Sequence, residues 1–220
     1  MAVIDAPWHY CSPLNTVTRR MRDLGWYQSW FPRFLTTVPL LLASGIDRGH
    51  ALEIGPGPGY LGLEWLKSTN NTSLVGLDSS TDMVNVARHN TVEYRFDGRA
   101  KYILGDAHSM PLGDNQFDCV LSSASLHEWA EPCRVLNEIS RVLKPGGKWY
   151  ITDLRRDISS SSKWIVWFVI PKPLRPYFLA SLADSYTTDE IKDILGATRL
   201  NRSSVHKSWY GLTIVGQNTE

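Results

Sequence analysis

Three glycines spaced by prolines, Gly55-Pro56-Gly57-Pro58-Gly59, follow an apolar run that ends in Glu53-Ile54. Glycines at the exit of a strand permit a tight turn and let a ligand lie against bare peptide. A dinucleotide fingerprint beginning at Gly55 requires glycine at position 60, where Tyr60 stands. Pro56 and Pro58 also remove two amide donors that a pyrophosphate would use. The loop therefore suits a ligand with less negative charge. Carboxylates recur at comparable places along the chain. Glu53, just before the loop, would face a cation. Asp78 closes the next β-type run, where its two oxygens can accept both hydroxyls of a ribose. Asp106, in Gly105-Asp106-Ala107, follows a third such run and can accept from an exocyclic amine. Met83 can lie against a purine face through its polarisable sulfur. Taken singly, Asp78 serves equally well as a helix cap before Ser79, Ser80 and Thr81, and Asp106 as a turn residue. Asp118 opens a strand and reads as structural. A glycine loop and acids after successive strands together mark a ligand site at the carboxyl ends of a sheet.

A second group stands after the fourth β-type run, in Ser125-Leu126-His127-Glu128-Trp129. His127 is the candidate base or substrate-orienting group, because its ordinary pKa lies near neutrality. A histidine hydrogen-bonded within its own loop is the competing reading. Glu128 reads as a solvated residue.

The elements that must position these residues alternate along the chain. Strands are expected over 50–54, 73–77, 101–104, 117–122 and 148–153, with helices over 60–68, 81–90 and 132–143. The last of these helices carries Val135, Leu136, Ile139, Val142 and Leu143 at helical spacing. Lys144-Pro145-Gly146-Gly147 should stop it and turn the chain. Thr187 with Glu190 forms a capping-box pattern at the start of a helix over 187–195. Segments 198–205 and 209–215 should close the sheet as a hairpin. The reading is one α/β domain with a mostly parallel sheet and helices on both faces. Residues 1–45 form an N-terminal cap, 46–153 the ligand-binding core, 154–185 an aromatic insertion, and 186–220 the closing helix and strands.

Composition narrows the function classes. The 220 residues carry 23 Lys plus Arg against 22 Asp plus Glu, which gives little attraction for nucleic acid despite the Arg19, Arg20, Arg22 cluster. Cys11, Cys119 and Cys133 have neither CxxC nor Cys/His ligand spacing, so no metal site is expected and a reducing, cytoplasmic setting is. Residues 1–15 lack the order of a secretory leader. The longest strongly apolar run, 164–170, falls far short of the roughly 20 residues that span a bilayer. Trp26, Tyr27, Trp30 and Phe31, with Trp164, Trp167 and Phe168, form a lid over an apolar acceptor or ordinary core. A third reading makes Trp164–Ile170 a membrane contact stiffened at its exit by Pro171, Pro173 and Pro176.

Glu53-Ile-Gly-Pro-Gly-Pro-Gly, Val75-Gly-Leu-Asp78, Gly105-Asp106-Ala, Phe117-Asp-Cys-Val and Leu143-Lys-Pro-Gly-Gly-Lys resemble class I S-adenosylmethionine-dependent methyltransferases. The general look is that of the small-molecule enzymes of ubiquinone and menaquinone biosynthesis, over residues 50–153. The resemblance implies a Rossmann-like seven-stranded sheet whose last strand runs antiparallel, with S-adenosylmethionine lying across the strand tips. It implies that Gly55, Gly57 and Gly59 face the methionine and ribose, and that Glu53 lies near the amino group and sulfonium. Asp78 would bind the ribose hydroxyls, Ser79 and Met83 would flank the adenine, and Asp106 with the Ala107 amide would read its edge. Ser122 would offer backbone to the methionyl amine. The expected activity is methyl transfer to a small, partly apolar or aromatic acceptor. A lipid or quinone methyltransferase at a membrane surface and a non-catalytic cofactor-binding protein are the alternatives.

Overall fold

Ala51 and Leu52 are adjacent and both fully buried, so they cover opposite faces of one strand, and this double burial recurs in the central strands. The computed structural model describes residues 37–170, 172 and 175–219. The elements in chain order are β1 (Gly49–Ile54), α1 (Tyr60–Lys67), β2 (Thr72–Asp78), α2 (Thr81–Glu93), β3 (Ala100–Leu104) and β4 (Phe117–Ser123). A single helical turn, Leu126–Glu128, precedes α3 (Pro132–Val142) and β5 (Leu143–Leu154). Then come α4 (Ser160–Val169), α5 (Arg175–Asp184), α6 (Thr188–Gly196), β6 (Ser204–Lys207) and β7 (Gly211–Gln217).

The strands form one sheet in the order β3-β2-β1-β4-β5-β7-β6. β7 runs antiparallel to both neighbours and the other pairings are parallel. This is the Rossmann-like architecture expected from the alternation of elements and from the family resemblance. On one face Leu52, Leu77, Val120 and Ile151 pack with Val135, Leu136 and Ile139 of α3 and Ile191 and Leu195 of α6. On the other, Ala51, Leu74, Cys119 and Leu121 pack with Leu61 and Trp65 of α1 and with Val84 and Ala87 of α2. Trp65 is fully buried and donates its indole N–H to the Ile46 carbonyl at 2.8 Å, tying α1 to the chain entering β1. Because α1 and α3 cover opposite faces, the strand order reverses between β1 and β4. A crevice opens at such a point.

Three local differences have physical causes. The chain does not turn loosely over 144–147: Leu143 is already extended and pairs with Phe117, and a register shift between Phe117 and Cys119 absorbs the extra residues. The first arm of the closing hairpin is short, since residues 198–203 are held as turns by Thr198 and Ser203, whose hydroxyls donate to the Leu195 and Leu200 carbonyls. The insertion is neither loop nor sheet but the helix pair α4–α5, built on its own small core of Leu154, Ile158, Ile170, Phe178 and Leu182. The capping box predicted at Thr187 is formed in full with Glu190. Trp26, Tyr27, Trp30, Phe31 and the rest of residues 1–36 lie outside the described residues, as do Pro171 and Pro173. Of the expected N-terminal cap, the described part is a helix from residue 37, with Val38 and Leu41 buried in the α1-side core.

Candidate active site at the strand tips

The loops leaving β1, β2 and β3 are joined by backbone hydrogen bonds into one rim. Gly55 N–H donates to the Leu77 carbonyl and Gly105 N–H to that of Asp78, each at 3.0 Å. A side chain on Gly55 would overlap Ser125, so the loops after β1 and β4 touch across the crevice. A side chain on Gly59 would strike the Tyr102 hydroxyl, which donates to the Gly59 carbonyl at 3.1 Å. Gly55 and Gly59 are thus set by close packing. Gly57 differs. It holds a left-handed φ of 52°, and the space where a side chain would stand is open. Its bare peptide is the surface the loop offers.

Asp78 holds that loop in place. Its Oδ2 accepts from Gly57 N–H at 3.0 Å and its Oδ1 from Ser80 N–H at 2.9 Å. Ser80, rather than Asp78, caps α2 by accepting from the Met83 amide. Burial raises the Asp78 pKa above 3.8, and the two amide donors partly offset this. Each oxygen keeps capacity for one more donor. Ser79 is exposed and Met83 half-buried on either side of the cap.

Asp106 is exposed and forms a turn of its own. Its Oδ1 accepts from His108 N–H at 2.9 Å and contacts His108 Nδ1 at 2.6 Å. These contacts lower its pKa, so it stays ionised. Ala107, half-buried, sits between the two. Beside this turn a cleft of about 650 Å³ opens between His108 and the first residues of α3. It includes none of the strand-tip acids.

Glu53 departs from expectation. Its side chain shares a face with Ala51 and lies under α1, against Gly62. Only 2% of it is exposed, and its Oε2 has no hydrogen-bond partner among the described residues. Burial pushes its pKa up to about 8, so near neutrality it is mainly a neutral acid rather than a counter-charge in the crevice. The unfolded carboxyl would titrate at its ordinary 4.5. The folded state therefore holds a proton that the unfolded chain has released, and stability declines as pH rises from 4.5 towards 8. Glu53→Gln should remove that slope. Its melting temperature should gain on the wild type as pH is raised across this window, and parallel curves would place the titration elsewhere.

Ser122 lies on the last rung shared by β1 and β4, opposite Ile54, and is fully buried. Its Oγ also has no partner among the described residues, and strand alternation puts it on the α3 face, away from Glu53.

Across the crevice, the turn Leu126–Glu128 presents His127 to the end of β5. His127 N–H donates to Asp153 Oδ2 at 2.9 Å, and Nδ1 lies 2.9–3.0 Å from both carboxylate oxygens. A carboxylate only accepts, so Nδ1 carries the proton and Nε2 the lone pair. The side chains are 7% and 2% exposed. Burial opposes the charged imidazolium, yet Asp153, with Glu128 and Asp184, outweighs it and raises the His127 pKa above 6.5. Asp153 went unassigned in the sequence, although it stands at the end of an apolar run, one residue before the close of β5, much as Asp78 closes β2. That shared position was the available signal. Glu128 is exposed.

The donor set fits S-adenosylmethionine. Acceptors (Asp78, Asp106) and open peptide at Gly57 suit hydroxyls, an amine and a positive charge, whereas the two loop prolines offer no N–H to a diphosphate. Among the described residues no cluster of His, Cys, Asp and Glu could hold a metal, and no helix is long and apolar enough to cross a membrane.

Comparison with known proteins agrees with this geometry. Residues 52–151 match the methyltransferase-domain family model. The chain is 29% identical over 209 residues to a demethylmenaquinone methyltransferase from Chlamydia muridarum, covering 93% of this chain and 85% of that protein. It is 31% identical over 117 residues to a ubiquinone/menaquinone biosynthesis C-methyltransferase from Citrobacter koseri, covering 52% and 47%. It spans only 28% of a 37.1 kDa transposon protein from Streptomyces fradiae, at 37% identity. Among solved structures, an S-adenosylmethionine-dependent methyltransferase from Aquifex aeolicus superposes with a TM-score of 0.64 at 20% identity, over 81% of this chain and 87% of that one. The [4+2]-cyclase SpnF does so at 0.56 and 22%, over 82% and 79%, a likeness of fold alone. The sheet order, the glycine loop pinned by a strand-end carboxylate, and these matches agree: residues 52–151 carry a methyltransferase domain, and the chain resembles the class I S-adenosylmethionine-dependent methyltransferases.

Proposed function

We propose that the protein moves a methyl group from S-adenosylmethionine to a small, partly apolar or aromatic acceptor, by in-line displacement across the crevice between β1 and β4. The cofactor supplies a methyl on a sulfonium, whose departure leaves a neutral thioether. Asp78 and the open peptide of Gly57 bind on the β1–β2 side, with Ser79, Met83, Asp106 and Ala107 lining the rim beyond. His127 stands on the acceptor side, where Nε2 takes the acceptor's proton or orients its nucleophilic atom. Asp153 positions the ring and favours its protonated form. Aligning two reactants and excluding water is worth about 7–11 kcal/mol, so few other groups are required. The observation that carries this reading is the buried His127–Asp153 pair at the carboxyl ends of β4 and β5, on the same rim of the sheet as the Asp78–Gly57 loop. The named acceptors of the menaquinone and ubiquinone relatives support an acceptor of quinone type.

Two measurements test it. Calorimetry should show S-adenosylmethionine binding and NADH not binding; the reverse would make the loop a dinucleotide site. Labelled-methyl transfer to metabolite fractions should yield a product. Binding without transfer would leave a cofactor-binding protein. Gly57→Ala offers a third check. The new methyl meets no protein atom, so the cost to folding is only about 1 kcal/mol of left-handed strain. Cofactor affinity should nonetheless fall, and an unchanged affinity would move the ligand off this peptide.

A further inference from the structure

Helix α4 is apolar on the side it shows to water. It buries Ser162 and half-buries Val166, ahead of buried Ile170, while Trp164, Ile165, Phe168 and Val169 are 62, 55, 71 and 73% exposed. The Trp164 and Phe168 rings stack at 5.5 Å and so form one continuous outward surface. Leu179 of α5 is also exposed. Globular cores take such residues in, and a face of this kind normally has a partner.

Charge identifies the partner. From residue 158 to 183 the chain has no Asp or Glu and carries Lys163, Lys172 and Arg175. Lys163 and Lys172 are exposed, and Arg175 lies over the Trp167 ring at 4.7 Å. A second copy docked on the same face would set these cations against themselves. Residues 1–36 carry Arg19, Arg20, Arg22 and Arg33 against Asp5 and Asp23, so that segment is also of like sign. An aromatic stripe flanked by cations is complementary to an anionic lipid surface.

We propose that α4, with the adjoining end of α5, docks the protein on an anionic phospholipid surface. The helix lies in the interface with Trp164, Ile165, Phe168 and Val169 among the acyl chains and Lys163 and Lys172 among the headgroups. The helix pair is rooted on Leu154, next to Asp153, and α5 packs against the turn that carries His127. Docking therefore brings the bilayer beside the acceptor side of the crevice, where an apolar acceptor dissolved in lipid would enter. This last consequence rests on the methyltransferase reading; the docking itself does not.

The test is co-sedimentation of the full chain with vesicles of phosphatidylcholine alone and of phosphatidylcholine with about one-third phosphatidylglycerol. The wild type should bind the anionic vesicles, less so as salt is raised. Trp164→Ser/Phe168→Ser and Lys163→Glu/Lys172→Glu should each weaken that binding about tenfold or more. Unchanged circular dichroism should accompany the loss, since all four side chains are exposed. A wild type that stays in the supernatant, or double variants that bind as well as it does, would overturn the proposal. So would a dimer that the aromatic variant converts to monomer while vesicle binding persists. Calorimetry with S-adenosylmethionine, run in parallel, should give the same affinity for all three proteins. Its failure in the wild type would count against the methyltransferase reading and leave the vesicle result standing.

Discussion

His127→Gln should slow methyl transfer by about two to four orders of magnitude, the range of general acid–base contributions, while S-adenosylmethionine binds normally. The imidazole lies in the Leu126–Glu128 turn at the tip of β4, whereas the cofactor loop is held by Asp78 at the tip of β2. The two effects should therefore separate. Asp153→Asn tests the same unit from behind. Asparagine can present its N–H₂ to Nδ1, which would move the ring proton to Nε2 and leave no lone pair facing the acceptor. Turnover should fall nearly as far as in His127→Gln, and combining the two should add little. The pH profile gives an independent readout. Asp153 raises the His127 pKa above 6.5, so the neutral base accumulates only as pH climbs past that value. The wild-type rate should show an acidic limb with its midpoint above 6.5 that His127→Gln abolishes. A full rate in either variant, with the limb intact, would reduce the pair to packing.

Asp78→Ala should weaken S-adenosylmethionine binding about tenfold to hundredfold, through the loss of charge-assisted hydrogen bonds worth about 1–3 kcal/mol. Two losses combine. The carboxylate no longer meets the ligand's hydroxyls, and the Gly57 and Ser80 amides lose their acceptor, so the loop is no longer held in its binding form. Asp78→Asn separates them, because an amide oxygen can still accept one of those N–H groups while the charge is gone. Its affinity should fall between wild type and alanine. Acid should act in the same direction. Burial keeps the Asp78 pKa above 3.8, so affinity should decline on acidification before an exposed aspartate would protonate. Unchanged calorimetric affinity in Asp78→Ala would remove this residue from the site.

Much of this molecule is legible in its residue order. Parallel strands buried on both faces read as unbroken apolar runs, and each glycine or acid that ends a run marks a strand tip. That logic locates the loop at Gly55–Gly59, Asp78, Asp106 and His127, because each is tied to an element boundary visible locally. It also gives the capping box at Thr187, a contact within three residues.

Partners distant in sequence and the direction of side chains follow instead from how the chain packs in three dimensions. The pairing of His127 with Asp153 joins two strand tips 26 positions apart. The burial of Glu53 under Gly62 turns an expected counter-charge into a mainly neutral acid. The packing of α4 leaves Trp164 and Phe168 exposed, where the residue pattern admitted lid, core and membrane contact alike. Local order fixes which backbone conformation each segment prefers, but whether a carboxylate is charged or a tryptophan wet depends on what the fold packs against it.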